Sequence, residues 1–113
     1  MGCRADRECG QDLLAAYDLA ARCCTEFDEI ASGFDVIVTP SAPGEAPSGV
    51  GADSPVMNQI WTLLHAPCVN LPAMRSPAGM PLGLTLTGPR FSDRRVLARA
   101  TLLDQAFVAA AEA

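Results

Sequence analysis

Lysine is missing from this chain: every Lys/Arg position is an arginine, and one histidine, His65, completes the basic set. No lysine can therefore serve as a general base within these 113 residues. Aromatic side chains are scarce, at 5%. With no basic patch interleaved with stacking rings, nucleic acid is not an expected partner. No apolar run approaches the roughly 18–20 residues of a membrane span, so no membrane association is expected either. The opening MGCRADRECG has no apolar centre and does not read as a secretory signal. Nor does Met1-Gly2-Cys3 read as a lipidation signal, because Asp6 stands where Ser or Thr is wanted. The cysteines are five, an odd number, without CxxC spacing, and adjacent Cys23 and Cys24 cannot easily bridge each other. Reduced thiols in a cytoplasmic protein are the expectation. Neither the cysteines nor His65 fall in a metal-ligand cluster, so no metal or other cofactor is expected.

What is present is apolar and acidic. Half the residues are hydrophobic and the net charge is −5. The charge is uneven: the first half carries most of the carboxylates, and arginines outnumber acids only in the second. The length allows one domain at most.

From Gln11 to about Ile30, Leu13, Tyr17, Ala20, Cys24 and Phe27 recur at three- and four-residue steps, the stripe of an amphipathic helix. Ser32-Gly33 should stop it, and residues 1–10 are expected to be frayed or disordered, leaving 11–113 as the folded part. Val36, Ile37 and Val38 form an unbroken β-branched run closed by Thr39-Pro40. Such a strand is expected in the middle of a sheet with both faces covered. A long Pro-, Gly- and Ser-rich loop follows, SAPGEAPSGVGADSP. Asp53 or Ser54 should then cap a short helix from Pro55 to about Leu64, ending before Pro67. Cys68, Val69 and Leu71 suggest a second strand ending at Pro72. After a turn over 73–80, Pro81 to Thr87 reads as a third strand, paired with the second as a hairpin. Beyond Gly88-Pro89, Ser92 should cap a last helix whose buried stripe is Val96, Leu97, Ala100, Leu103 and Phe107. The fold class is α/β, in the order α-β-loop-α-β-β-α. Three short strands and two long helices leave sheet edges and one face uncovered, so a missing segment or self-association is expected.

Three phrases carry a resemblance: FDVIVTPSAPGEAP, WTLLHAPCVNLPA, and GMPLGLTLTGPRFSDRRVLARA. In this order and spacing they resemble the C-terminal end of the amidase signature family. The resemblance implies the margin of a mixed-sheet fold flanked by helices, with late strands and part of an acyl-side pocket. It also implies hydrolysis of carboxamide C–N bonds through a Ser-Ser-Lys triad, without metal. The Gly- and Ser-rich run that, with a second Ser and a Lys base, makes up that catalytic core has no match here; Ser32-Gly33 and Ser48-Gly49 are isolated pairs, better read as a helix stop and a loop.

Amide hydrolysis needs a base beside the attacking hydroxyl. His65 is the one side chain of suitable pKa, yet no carboxylate lies near it in sequence, and a hydrogen-bonded histidine at a helix end is the simpler reading. No catalytic residue is assigned. Ser41, Pro43, Ala46 and Pro47, beyond the carboxyl end of the first strand, are placed where α/β sheets bind ligands. Trp61 and Met57, one helical turn apart, could share that pocket or simply pack in the core. Gly88-Pro89-Arg90 before the last helix could hold an anion, though a structural turn is favoured. Arg94, Arg95 and Arg99 read as a solvated face. The expected function is the C-terminal portion of an amidase, inert by itself, with a small-molecule amide as substrate of the full-length relative. The competing expectation is a non-catalytic module that docks on a separate N-terminal amidase segment.

Overall fold

The stripe that begins at Leu13 is carried by one long helix, α1 (Ala5–Ala31). The computed structural model describes residues 5–49, 51 and 54–113. The helix thus starts six residues ahead of the expected Gln11, and Met1–Arg4 lie outside the described residues. It stops where expected. The Ser32 hydroxyl donates to the Asp28 carbonyl at 2.6 Å, and Gly33 and Phe34 tighten the exit by donating to the Ile30 and Ala31 carbonyls.

The strands follow the expected order: β1 (Ile37–Pro40), then α2 (Gln59–Leu63), β2 (Cys68–Arg75), β3 (Pro81–Thr87) and α3 (Asp93–Glu112). All pairings are antiparallel, and β3 lies between β1 and β2. The hairpin of β2 and β3 is as expected. Its turn closes through Ser76 N–H to the Met80 carbonyl at 2.8 Å, with Gly79 at φ 83°.

Four expectations need correction. The apolar run at Val36–Val38 does not sit mid-sheet; β1 is an edge strand and Val38 is exposed. β-Branched composition reports fitness for a pleated surface, not the number of neighbours. Pro40, at the end of β1, withholds no donor that an inner ladder would need. Next, β2 does not stop at Pro72 but runs to Arg75. The register shifts between Leu71 and Met74, and this irregularity lets the strand pass a residue that has no N–H to give. The short helix is shorter than expected as well. Asn58 and Gln59 both donate to the Pro55 carbonyl, so a turn precedes α2, whose N-cap is Asn58. Asp53, one of the two expected caps, lies outside the described residues. Finally, Ser92 occupies the N-cap of α3 as expected but makes no side-chain cap bond; its hydroxyl donates to the Pro89 carbonyl instead.

Alternation along the strands divides the sheet into two faces of different chemistry. On one, Leu71 and Leu86 meet Val96 and Ala100 of α3, with Val36, Val69 and Leu103 at the margin. Leu86 and Val96 are 0% and 1% exposed. Of the expected α3 stripe, Leu97 is exposed: it lies on the flank of the helix and not over the sheet. The other face carries Asn70 and Thr85, with Asn58 at the start of α2 lying beside Thr85. The carboxyl end of α1 packs on α2 through Phe27 against Trp61, ring centroids 5.7 Å apart, and through the Cys24 thiol on the Leu63 carbonyl.

Asp28 fixes α1 to the turn before α3. One carboxylate oxygen accepts the Arg90 backbone N–H at 2.9 Å and the other accepts Nε at 2.8 Å. The turn Gly88-Pro89-Arg90 therefore does hold an anion, one supplied by the chain itself. Arg99 pairs with Asp35 at 3.2 Å. Among the described residues no helix is long and apolar enough to cross a membrane.

The molecule is flat and long, 68 × 38 × 16 Å, with a radius of gyration of 18.5 Å. A compact chain of this length would have one of about 13 Å. Much of the difference comes from the amino-terminal part of α1, where Leu13 and Tyr17 are 55% and 65% exposed.

Two substitutions test this description. The Arg90 N–H, then its guanidinium, hold the Asp28 carboxyl below its ordinary 3.8, against an opposing effect of burial. A depressed carboxylate pKa contributes stability above the unfolded value that is lost as pH falls through the folded one. Asp28→Asn should thus cost about 1–2 kcal/mol at neutral pH. In urea titrations its difference from the parent chain should vanish well below pH 3.8. His65, just past the α2 C-cap Leu64, has φ 53° without being glycine. His65→Gly should relieve that strain and raise the urea midpoint, by about 1 kcal/mol in stability.

Candidate functional site

The loop leaving β1 begins with Ser41, whose N–H reaches the Gly83 carbonyl at 3.1 Å and continues the ladder one step past the strand. This pins the Ser41 side chain over the polar sheet face. Its hydroxyl donates to Asn70 Oδ1 and lies 2.8 Å from the Thr85 hydroxyl. With its one proton given to Asn70, Ser41 accepts from Thr85. The Asn58 carboxamide closes the ring from the other side, donating to the Ser41 carbonyl at 2.7 Å. Four polar side chains from four segments of the chain are thereby joined.

They line a cavity of about 370 Å³ together with Trp61, Thr62 and Cys68. Among the described residues no charged side chain lines it. The partner of the Ser41 proton is an amide oxygen, which does not accept a proton at ordinary pH, so Ser41 is not activated for attack. His65 does not line this cavity; it is exposed, and its ring makes no hydrogen bond among the described residues. The expectation of a histidine at a helix end is thus right in place. The arrangement presents hydroxyl and carboxamide groups that suit a neutral polar group. Among the described residues no three His, Cys, Asp or Glu side chains cluster as metal ligands.

The six residues expected to line one pocket are divided. Ser41 and Trp61 line the polar cavity, whereas Pro43, Ala46 and Pro47 line a larger, mainly apolar groove of about 680 Å³ with Met74, Leu82 and Leu84. Met57 lines neither. Gly83 stands between the two spaces. A Cβ there would collide with Asn70 Oδ1 and stand 3.1 Å from the Ser41 hydroxyl. Its missing side chain is what lets those two residues meet.

Asn58, Asn70 and Thr85 escaped the reading of the sequence. The available signal was polarity out of place: Asn70 within Cys-Val-Asn-Leu, and Thr85 and Thr87 within the otherwise apolar β3. Buried polar groups need partners. Thr39 Oγ1, Thr87 Oγ1 and Trp61 Nε1 are buried with no hydrogen-bond partner among the described residues.

The family model described as Amidase matches residues 6–97. The chain belongs to the amidase signature family. A glutamyl-tRNA(Gln) amidotransferase subunit of Granulibacter bethesdensis is 34% identical over 101 residues, covering 82% of this chain and 20% of the relative. Its counterpart in Parvibaculum lavamentivorans is 34% identical over 110 residues, 88% of this chain and 22% of the relative. The counterpart in Neisseria meningitidis serogroup C is 36% identical over 95 residues, 77% and 20%. The chain thus spans about a fifth of the length of these relatives.

The close approach at Gly83 can be tested. Gly83→Ala should push Asn70 and Ser41 apart and cost about 1–3 kcal/mol in denaturant unfolding. Adding Asn70→Ala in the same chain should recover most of the loss. A double variant no more stable than Gly83→Ala alone would place the strain elsewhere.

Proposed function

We propose that this chain is the C-terminal portion of an amidase signature hydrolase that cleaves carboxamide C–N bonds. Its polar cavity forms part of the wall against which a small-molecule amide rests. The hydroxyls of Ser41 and Thr85 and the carboxamides of Asn58 and Asn70 orient the neutral amide by hydrogen bonds. The nucleophile and its lysine base are supplied by residues outside these 113. One observation carries the reading: a family match spans most of the chain, while among the described residues the cavity at Ser41 is lined by no carboxylate, histidine or amine. The relatives are named as amidotransferase subunits, and moving an amide nitrogen begins with breaking a carboxamide C–N bond.

A second reading is a binding module that complements a separately made N-terminal amidase segment. The exposed apolar residues of α1 and the open edge of β1 favour it. Both readings give the isolated chain no activity of its own.

The purified chain is expected to release no ammonia from simple carboxamides. It should also acquire no covalent adduct from a fluorophosphonate, read by intact-mass spectrometry. Saturable hydrolysis abolished by Ser41→Ala, or an adduct on any hydroxyl of the chain, would overturn the proposal.

A further inference from the structure

We infer that the amino-terminal half of α1 is a docking surface for the remainder of an amidase domain, seated on Leu13 and Tyr17. The inference rests on the family reading above and adds where the contact is made. Leu13, Tyr17, Ala20, Cys24, Phe27 and Ala31 follow alternating steps of four and three, which keeps one apolar seam on one side of the helix. Along the carboxyl half the seam is covered: Cys24 and Ala31 are buried and Phe27 meets Trp61. Along the amino half no described residue covers it, and Leu13 and Tyr17 remain mostly in solvent. The register does not change between the halves. A surface that continues the cover of the second half would therefore meet the first with no rearrangement of α1.

The projecting segment also needs such a cover to persist. It contains Gly10, beside which no described atom lies within reach of a Cβ, and its Leu13, Leu14 and Tyr17 are exposed; an isolated helix of this length is marginal in water.

Two occupants are open to it, a second copy or the rest of the domain, and charge separates them. Within α1, apart from Asp28, which is paired with Arg90, Asp12, Asp18, Glu26 and Glu29 stand against Arg22, four acids and one base. Two α1 helices laid side by side would bring three net negative charges against three. The relatives are about five times the length of this chain, so most of a family domain lies outside it. The occupant is accordingly an apolar surface of that remainder, fringed with basic side chains.

The test uses as probe one of the matched relatives with the matching segment deleted. The parent chain should bind it, and hydrogen exchange over Leu13–Ala20 should slow only in the complex. The double variant Leu13→Glu/Tyr17→Glu should keep the circular dichroism and melting of the parent chain's sheet and α3, since both residues are exposed. Its affinity for the probe should fall at least about tenfold. Equal affinity of variant and parent, or no binding by the parent, overturns the proposal. So does self-association of the isolated chain that the variant abolishes, because a second copy would then be the occupant. Amide hydrolysis by the complex separates this proposal from the functional one. A complex that forms through α1 but hydrolyses nothing defeats only the function. An active complex indifferent to the double substitution defeats only the docking.

Discussion

A three-stranded sheet has two faces and two edges, and this chain covers them unequally. One face is closed by α3 over Leu71 and Leu86, giving a small dry core. The other receives the loop after β1 and the start of α2 through the polar side chains of Ser41 and Asn58, and the end of α1 packs on α2 in turn. Apolar surface left in water gains nothing from burial, at roughly 25 cal/mol per Å². Exposed Leu13, Tyr17, Val38 and Leu97 therefore mark what the chain cannot stabilise with its own atoms. The elongated shape is an expression of that shortage.

Within this frame a few polar contacts set the relative placement of the elements. Asp28 holds α1 to the turn before α3 by two bonds to one residue, 62 positions away in sequence. Ser41 holds the long loop to the sheet through β3 and β2, and Asn58 holds the start of α2 to the same serine. Each of these joins segments whose apolar contacts alone would leave room to slide. Specificity of arrangement here comes from hydrogen bonds, while the modest core supplies cohesion.

The chemistry follows from the same ring of side chains. A hydroxyl becomes a nucleophile when its proton has somewhere to go. The Ser41 proton goes to a carboxamide oxygen, and the one histidine stands in solvent at the end of α2. The cavity is thus suited to recognition of an uncharged polar group. Gly83 is the residue on which this geometry turns, because only a missing Cβ lets Asn70 and Ser41 share the space above β3.

Local pattern determined a good deal. The periodicity from Leu13 specified α1, the β-branched and alternating runs specified three strands, and Ser32, Pro67 and Gly88-Pro89 marked where elements end. The phrases around Val36–Pro40, Pro67–Pro72 and Gly79–Gly88 were enough to indicate the family. These properties are legible because they depend on residues close together in the chain. Tertiary structure alone decided that β1 is an edge, that β2 passes Pro72 by a register shift, and that α3 turns Leu97 outward. It also decided that Ser41 and Trp61 share a cavity from which Met57 and the Pro43–Pro47 loop are absent. Those outcomes depend on which distant residue arrives opposite. Asn70 meeting Ser41 and Arg90 meeting Asp28 are pairings across 29 and 62 residues that no local spacing encodes.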